Sequence, residues 1–568
     1  MSIKIKKALG LNPHQAWFEQ FQDTPEYKKL KDHPVAYFCA EYGMEGNLPF
    51  SGGLGILAGD TIKEAGDQKI PIVAIGLHYH DSILGAKNQT NLPNQEKFIP
   101  SQADLKLVLD IHKKPLQVKV IINDHDVFVQ AWTKKINGIN LFLLDTDIND
   151  NSPNDRKITN NLYDGNREID IKQSMVIGIG GLKFLEAMGI HSETYHINEG
   201  HAAMMIFELI YQEMEKNNLS FEEAKKSVRH RIFYTNHTLT SGGNKKFDND
   251  MVSSLLSGYA KILDVPVSEL IKIGLIPKLN IFSLTMLSLR MASNINAVSK
   301  LHAQRAKEFW PEYTMESVTN GIHVRTWDML KNDLDGEGSL WTAHQERKKI
   351  LLEYIKKQTG QDLSTDHLLI GWARRFVLYK RPMVLFEDIK KLKLLAENSK
   401  KPIKIVVAGN PQKNHEEGLI LLEKIKLLSK TGLKDILVVL PNYDIEMAKL
   451  LVTGCDVWLN TPIVGFEACG TSGMKAALNG VLPFSTKDGW VDEIEMDGKG
   501  WLIKNENTNI DLLETLQNKI VPLYYERNSQ GIPVQWEEYM INSRKMILND
   551  FCASRMLKEY LISYNNKI

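Results

Sequence analysis

The stretch CDVWLNTPIVGFEACGTSGMKAALNGVLPFST, residues 455–486, decides the fold class. Its apolar run at 455–461 has the length and composition of a buried strand, and VLPFST at 481–486 reads as another. Between them lie a Gly/Thr/Ser loop and, from about Ser472, a short helix. Strand, loop, helix and strand in that order make a βαβ unit, which puts two parallel strands in one sheet with a helix over its face. Working back from it, LLIGWARR (368–375), IKIVVAGN (403–410) and DILVVLPN (435–442) read as further strands, with a charged helix ending near Lys430. The pattern predicts a doubly wound α/β domain.

The first half of the chain repeats the pattern. PVAYFCAEYG (34–43) is an apolar run, followed by the turn Ser51-Gly52-Gly53-Leu54-Gly55, the helical ILAGDTIKEAGDQ and the strand PIVAIGL (71–77). LFLLDTD (141–147), TYHIN (194–198) and IFYTNH (232–237) read as later strands. The segment 318–341 is turn-rich, with Gly321, Gly336 and Gly338. The expectation is an α/β lobe over 1–325, a second over 326–540, and a helical segment over 541–568 that packs back on them. Ligands would sit where the carboxyl ends of the two sheets face a central cleft.

Lys plus Arg and Asp plus Glu both number 69 in the 568 residues, so the formal net charge is zero. That balance speaks against a nucleic-acid partner, which asks for a basic excess. The four cysteines form no C-x-x-C pair, which disfavours a zinc knuckle and suits a reducing compartment. The basic N-terminus MSIKIKKALG is followed by no apolar core, and no run approaches the roughly 18 apolar residues that span a bilayer. A soluble cytoplasmic protein with no membrane partner is expected.

Lys475 stands in the first turn of the predicted helix behind Gly470, Thr471 and Gly473. Outward N–H groups and the helix dipole make such a loop an anion site. Positive potential and desolvation lower a lysine pKa, so this lysine can form a Schiff base while the loop holds a phosphate, as pyridoxal phosphate requires. The plainer alternative is a capped helix with a surface lysine. Arg374, Arg375, Lys380 and Arg381 fall within eight residues at the end of a predicted strand, suited to phosphate or else to a solvated face. Gly52 and Gly53 open the other lobe's helix and allow close backbone approach. His237 follows a strand. His196 and His201 are five apart, off the i, i+4 spacing of a shared helical face, so polar contacts are favoured over a metal.

These blocks together resemble the α-glucan (glycogen, starch and maltodextrin) phosphorylases, from about Pro34 to Glu493. GTSGMKAALNGVLPFSTKDGWVDEI (470–494) is similar to the family's cofactor-lysine segment. YTNHT (234–238), VTNGIHVRTW (318–327), the cationic block 374–381, the SGGLG loop and Asn442-Tyr443 accompany it. The resemblance implies two Rossmann-like lobes of the GT-B type and phosphorolysis of a terminal glucose to glucose 1-phosphate with retention. Lys475 would hold pyridoxal 5′-phosphate, with Gly470, Thr471, Gly473 and Gly53 around its phosphate and Tyr443 and Trp327 near its ring. Arg375 and Lys380 would bind the substrate phosphate with Gly52, Gly53 and Arg374. His237, Asn320 and Glu467 would contact the terminal glucose, with His201 nearby. The cofactor's own phosphate would relay a proton, so no pair of catalytic carboxylates is required. The family further implies a homodimer and no metal. Cys469 departs from a small hydroxyl residue, and Glu199-Gly-His201 from an Asp-containing version, as in the short bacterial and archaeal branch. A nucleotide-sugar glucan synthase would share the fold but has no evident need of Lys475; a non-catalytic glucan-binding protein would need none of these groups.

Overall fold

Seven parallel strands form the centre of the first lobe. In spatial order they are Glu316–Ser317, Asn294–Ala297, Ile232–Asn236, Tyr195–Asn198, Val35–Phe38, Ile72–Leu77 and Ile139–Asp145. The computed structural model describes residues 13–44, 48–80, 104–240, 243–331, 339–398, 400–411 and 416–565. Gly336, Gly338 and the basic N-terminus lie outside the described residues. The chain starts at Val35–Phe38 in mid-sheet, winds one way through Ile72–Leu77 and Ile139–Asp145, then returns to Tyr195–Asn198 and winds the other way. The four strands Val35–Phe38, Ile72–Leu77, Tyr195–Asn198 and Ile232–Asn236 are buried at every position, as a sheet covered on both faces demands.

The second sheet has the order Leu437–Leu440, Ile403–Ala408, Leu368–Ala373, Val457–Asn460, Leu482–Thr486, Trp501–Ile503, all parallel. Numbered by appearance this is 3-2-1-4-5-6, the doubly wound order. Each sheet therefore has one topological switch point, where the loops leaving two adjacent central strands run apart and open a crevice.

Three features add to the parallel pattern. His125–Ile136 pairs antiparallel with Ile139–Asp145 and carries Val118–Ile122 and Lys106–Leu107 beyond it. A small antiparallel sheet joins Lys246–Asp248, Leu275–Ile276 and Ile281–Ser283. The C-terminal region is two helices rather than one segment beginning at 541. Val534–Asp550 buries Trp536 and Met540 in the second lobe, and Ala553–Asn565 buries Met556, Leu557, Tyr560 and Leu561 against the first. At the break between them, Ile322 N–H donates to Phe551 O (3.0 Å) and Ala553 N–H to Ile322 O (2.7 Å).

One apolar cluster belongs to both lobes. It joins Ile56, Val298, Ile322 and Trp327 to Met474, Leu478, Trp490 and Phe551. The lobes are thereby packed together at the foot of the lysine-bearing helix.

Candidate active site

The two switch points supply the candidate residues. In the second lobe, Leu368–Ala373 runs out into the cationic block, and Val457–Asn460 into the glycine loop that opens the helix Thr471–Leu478. The two loops are tied together: Thr461 Oγ1 donates to Lys380 O (3.0 Å), Ile463 N–H to Tyr379 O (2.8 Å), and Arg381 to Thr461 O (2.7 Å) and Pro462 O (2.8 Å). Gly470 caps the helix at φ 82°, a left-handed conformation that glycine adopts without a Cβ clash. A Cβ on Gly473 would stand 3.2 Å from both Asn460 and Trp490, so this turn packs against the strand end.

Glu467 is the hub of this loop. Its carboxylate takes Arg374 at 2.7 Å and Lys380 Nζ at 2.8 Å, and its N–H donates to Asp488 (2.9 Å). Burial alone would raise its pKa, but Arg374 and Lys380 win and hold it at about 2. Burial, with Arg374 pushing the same way, lowers Lys380 to about 7 despite the Glu467 charge. Arg375 by contrast is exposed, and a Cβ on Gly52 would lie 3.8 Å from its Nε. Gly52 caps the first-lobe helix Gly53–Asp67, so the cations of one lobe face the glycine helix N-terminus of the other.

That helix is held close by glycine. A Cβ on Gly59 would sit 2.4 Å from Gly43 O, and one on Gly55 would sit 2.8 Å from the Glu41 carboxylate. Glu41 is buried, accepts the Ser51 N–H (2.5 Å) and the Tyr163 hydroxyl (2.8 Å), and is raised by burial.

Lys475 is buried, with Nζ 4.0 Å from the centroid of the Trp327 ring. It has no hydrogen-bond or ion-pair partner among the described residues. Burial lowers its pKa to about 8 against the opposing charge of Asp60. Tyr443 packs partly buried in the adjoining clusters, its hydroxyl raised to about 12 by burial. Thr471 is the first residue of the lysine helix, and Gly53 has open space where a Cβ would be.

The first-lobe switch point brings in the sugar candidates. His237 Nε2 lies 2.5 Å from Asn198 Oδ1, and burial, then His302 and His201, lowers the ring to about 3. It is therefore neutral, donating through Nε2 and keeping Nδ1 as an acceptor. Glu199, at φ 66°, accepts the Gly200 and His237 N–H groups and the Tyr234 hydroxyl; burial raises it to about 7. His201 borders a small cavity with Tyr79, Tyr163 and the Asp170–Lys245 ion pair (2.6 Å), and burial lowers it to about 3. His196 is elsewhere, in the core, bonded to Tyr564 (2.6 Å) and Thr235 (2.7 Å), away from His201. Asn320 is buried beside Cys469, whose thiol burial pushes up. A cluster with metal-ligand spacing lies outside the candidate set: His78, His80 and Asp145, where His80 Nε2 stands 2.8 Å from Asp145.

Among the described residues, Arg374 Nη1, Asn320 Oδ1, Asn460 Oδ1 and His201 Nδ1 of the candidate set are buried polar atoms without a hydrogen-bond partner. Each such orphan costs about 1–3 kcal/mol, and a bound polar ligand would supply the missing partner. A desolvated amine over an aromatic face, beside a glycine-rich helix N-terminus, fits a carbonyl cofactor that carries a phosphate. Sequence reasoning passed over Glu41 and Asp60. Asp60 left a signal, an acid repeating with Glu64 and Asp67 at i, i+4, i+7 along a mostly apolar helix.

The fold is that of two Rossmann-like α/β lobes, with the exposed Arg375 of one beside the glycine helix start of the other. The family described as carbohydrate phosphorylase matches residues 190–334 and 329–500. The chain is 35% identical to the maltodextrin phosphorylase of Thermococcus litoralis over 98% of its own length and 73% of that protein. It is 30% identical to the glycogen phosphorylase of Aquifex aeolicus, covering 97% and 87% respectively, and 30% identical to an uncharacterized protein of Methanocaldococcus jannaschii, covering 93% and 98%. The chain belongs to the carbohydrate phosphorylase family, as a glycosyltransferase of the glucan phosphorylase class.

Proposed function

We propose that this protein is an α-1,4-glucan phosphorylase that releases the non-reducing terminal glucose of glycogen, starch or maltodextrin as α-glucose 1-phosphate, reversibly and with retention. The observation that carries the reading is Lys475: a buried amine, 4.0 Å over an indole, behind a glycine-capped helix start. Lys475 would hold pyridoxal 5′-phosphate, with Gly470, Thr471, Gly473 and Gly53 near its phosphate and Trp327 and Tyr443 beside its ring. When bound, that group supplies a phosphate able to exchange a proton with the substrate phosphate. The two lobes would form a GT-B arrangement over domains 1–325 and 326–540, in a cytoplasmic homodimer.

The chain's own residues supply orientation and charge. Arg375, exposed opposite the Gly52–Gly53 helix start, would grip inorganic phosphate with Lys380, which keeps a mobile proton at neutral pH. Arg374 and Lys380 keep Glu467 ionised, so it would accept a glucose hydroxyl proton in a hydrogen bond. Neutral His237 would offer Nδ1 to another hydroxyl, with Asn320 and His201 adding contacts. The positive wall of 374–381 would stabilise the phosphate charges as the glycosidic bond breaks. The test is borohydride reduction of the protein with pyridoxal phosphate, followed by peptide mass spectrometry. The label is expected on Lys475; a label on another lysine, or none, overturns the assignment.

A further inference from the structure

Asp60, Glu64 and Asp67 form one stripe of the helix Gly53–Asp67, and all three are turned toward the segment around His323. Asp67 lies 3.0 Å from His323 Nε2 and 3.2 Å from Arg325. Glu64 lies 3.9 Å from His323 Nε2 and accepts the Ser554 hydroxyl at 2.7 Å. Asp60 is the deepest, 2% exposed. It accepts the Trp327 indole N–H at 2.9 and 3.1 Å and the His323 backbone N–H at 3.3 Å. Over the face of that same indole stands Lys475 Nζ. One ring thus carries a carboxylate at its N–H edge from the first lobe and an ammonium at its face from the second. A carboxylate is expensive at such depth unless it is compensated, and two hydrogen bonds from neutral N–H groups leave its charge to be balanced.

We propose that Asp60 is a positioning residue: it is the counter-charge for the Lys475 nitrogen across Trp327, and it fixes the indole under the lysine. The proposal rests on the reading of Lys475 as the cofactor lysine. The charged groups around the pair are few. Lys63 donates to Thr326 Oγ1 at 3.2 Å and opposes the Lys475 charge. His323 is occupied by Asp67, and Asp60 acts in the opposite sense to Lys63 on Lys475. A nearby negative charge favours the ammonium, and burial favours the neutral amine. Asp60 therefore keeps Lys475 protonatable near neutrality, and through Trp327 sets where its nitrogen stands. The same helix begins at Gly52, next to Arg375, so one element serves both the phosphate wall and the lysine.

Asp60→Asn separates charge from shape, because the amide oxygen still accepts the indole N–H. The test is competitive acetylation of full-length protein, stripped with hydroxylamine, across a pH series with acetic anhydride, read on the Lys475 peptide by mass spectrometry. Asp60→Asn is expected to lower the midpoint of Lys475 labelling by about one pH unit or more, about tenfold in the neutral fraction below it. Asp60→Glu should restore the midpoint. Asp60→Ser, smaller and also neutral, serves if circular dichroism shows the Asn variant misfolded. A midpoint unchanged or raised in the folded neutral variant overturns the role of Asp60. Borohydride trapping of pyridoxal phosphate at Lys475 in the same unchanged variant leaves the functional reading standing, whereas trapping elsewhere in the wild type sinks that reading instead.

Discussion

Lys475 shows how placement makes an ordinary side chain reactive. Desolvation brings its pKa to about 8, so a useful fraction is neutral at physiological pH. Uptake of pyridoxal phosphate should therefore accelerate with pH through a midpoint near 8, followed by absorbance after mixing; a midpoint above 10 would mean a solvated lysine. Arg375 is the exposed cation facing Gly52. Arg375→Ala should raise KM for phosphate by about tenfold or more while changing KM for glucan little, in line with loss of a charge-assisted contact; equal changes in both would remove its assigned role. Glu199 bears on stability. Its carboxyl is raised to about 7 by burial, so between the ordinary 4.5 and 7 the folded state holds a proton that the unfolded state has lost. Stability should fall as pH rises through that window, and Glu199→Gln should flatten the slope in denaturant titrations. Lys475, the cation block and His237 were legible because each follows a strand and sits in a distinctive local pattern. Asp60 was passed over, because a stripe of acids on a helix, here Asp60, Glu64 and Asp67, reads as a solvated face until the fold buries it.

At the scale of elements, continuous apolar runs announced the buried parallel strands, and glycine clusters announced the loops that follow them. His125–Ile136, Val118–Ile122 and Lys106–Leu107 escaped notice because their residues are partly exposed and lack a continuous apolar run. The sheet of Lys246–Asp248, Leu275–Ile276 and Ile281–Ser283 has strands too short to leave a period. The helix Gly53–Asp67 depends on glycine for its approach. Gly59→Ala would place a Cβ 2.4 Å from Gly43 O. The variant should lose about 1–3 kcal/mol in thermal or denaturant unfolding, as overpacking does. An unaltered stability would show that the Gly43 loop is free to yield.

Over the whole molecule, the two doubly wound sheets were readable from repeated strand–helix alternation. The expectation that they face a central cleft named no contacts between them, because the apolar cluster that joins the lobes is built from residues far apart in sequence. The C-terminal pair of helices spans both lobes: Arg544 meets Asp328 at 2.6 Å on one side, and Leu561 is fully buried on the other. Leu561→Ala should cost about 2–5 kcal/mol by cavity formation and loosen the first lobe's hold on that helix; denaturant unfolding checks the loss.

If Lys475 and the facing cations serve phosphorolysis of an α-glucan, the reaction itself is the decisive readout. Purified protein supplied with pyridoxal phosphate, maltodextrin and inorganic phosphate tests it most directly, with glucose 1-phosphate as the readout. Phosphate-dependent glucose 1-phosphate that disappears in Lys475→Ala is expected. Formation that persists in Lys475→Ala, or no product from a protein carrying the cofactor on Lys475, would contradict it.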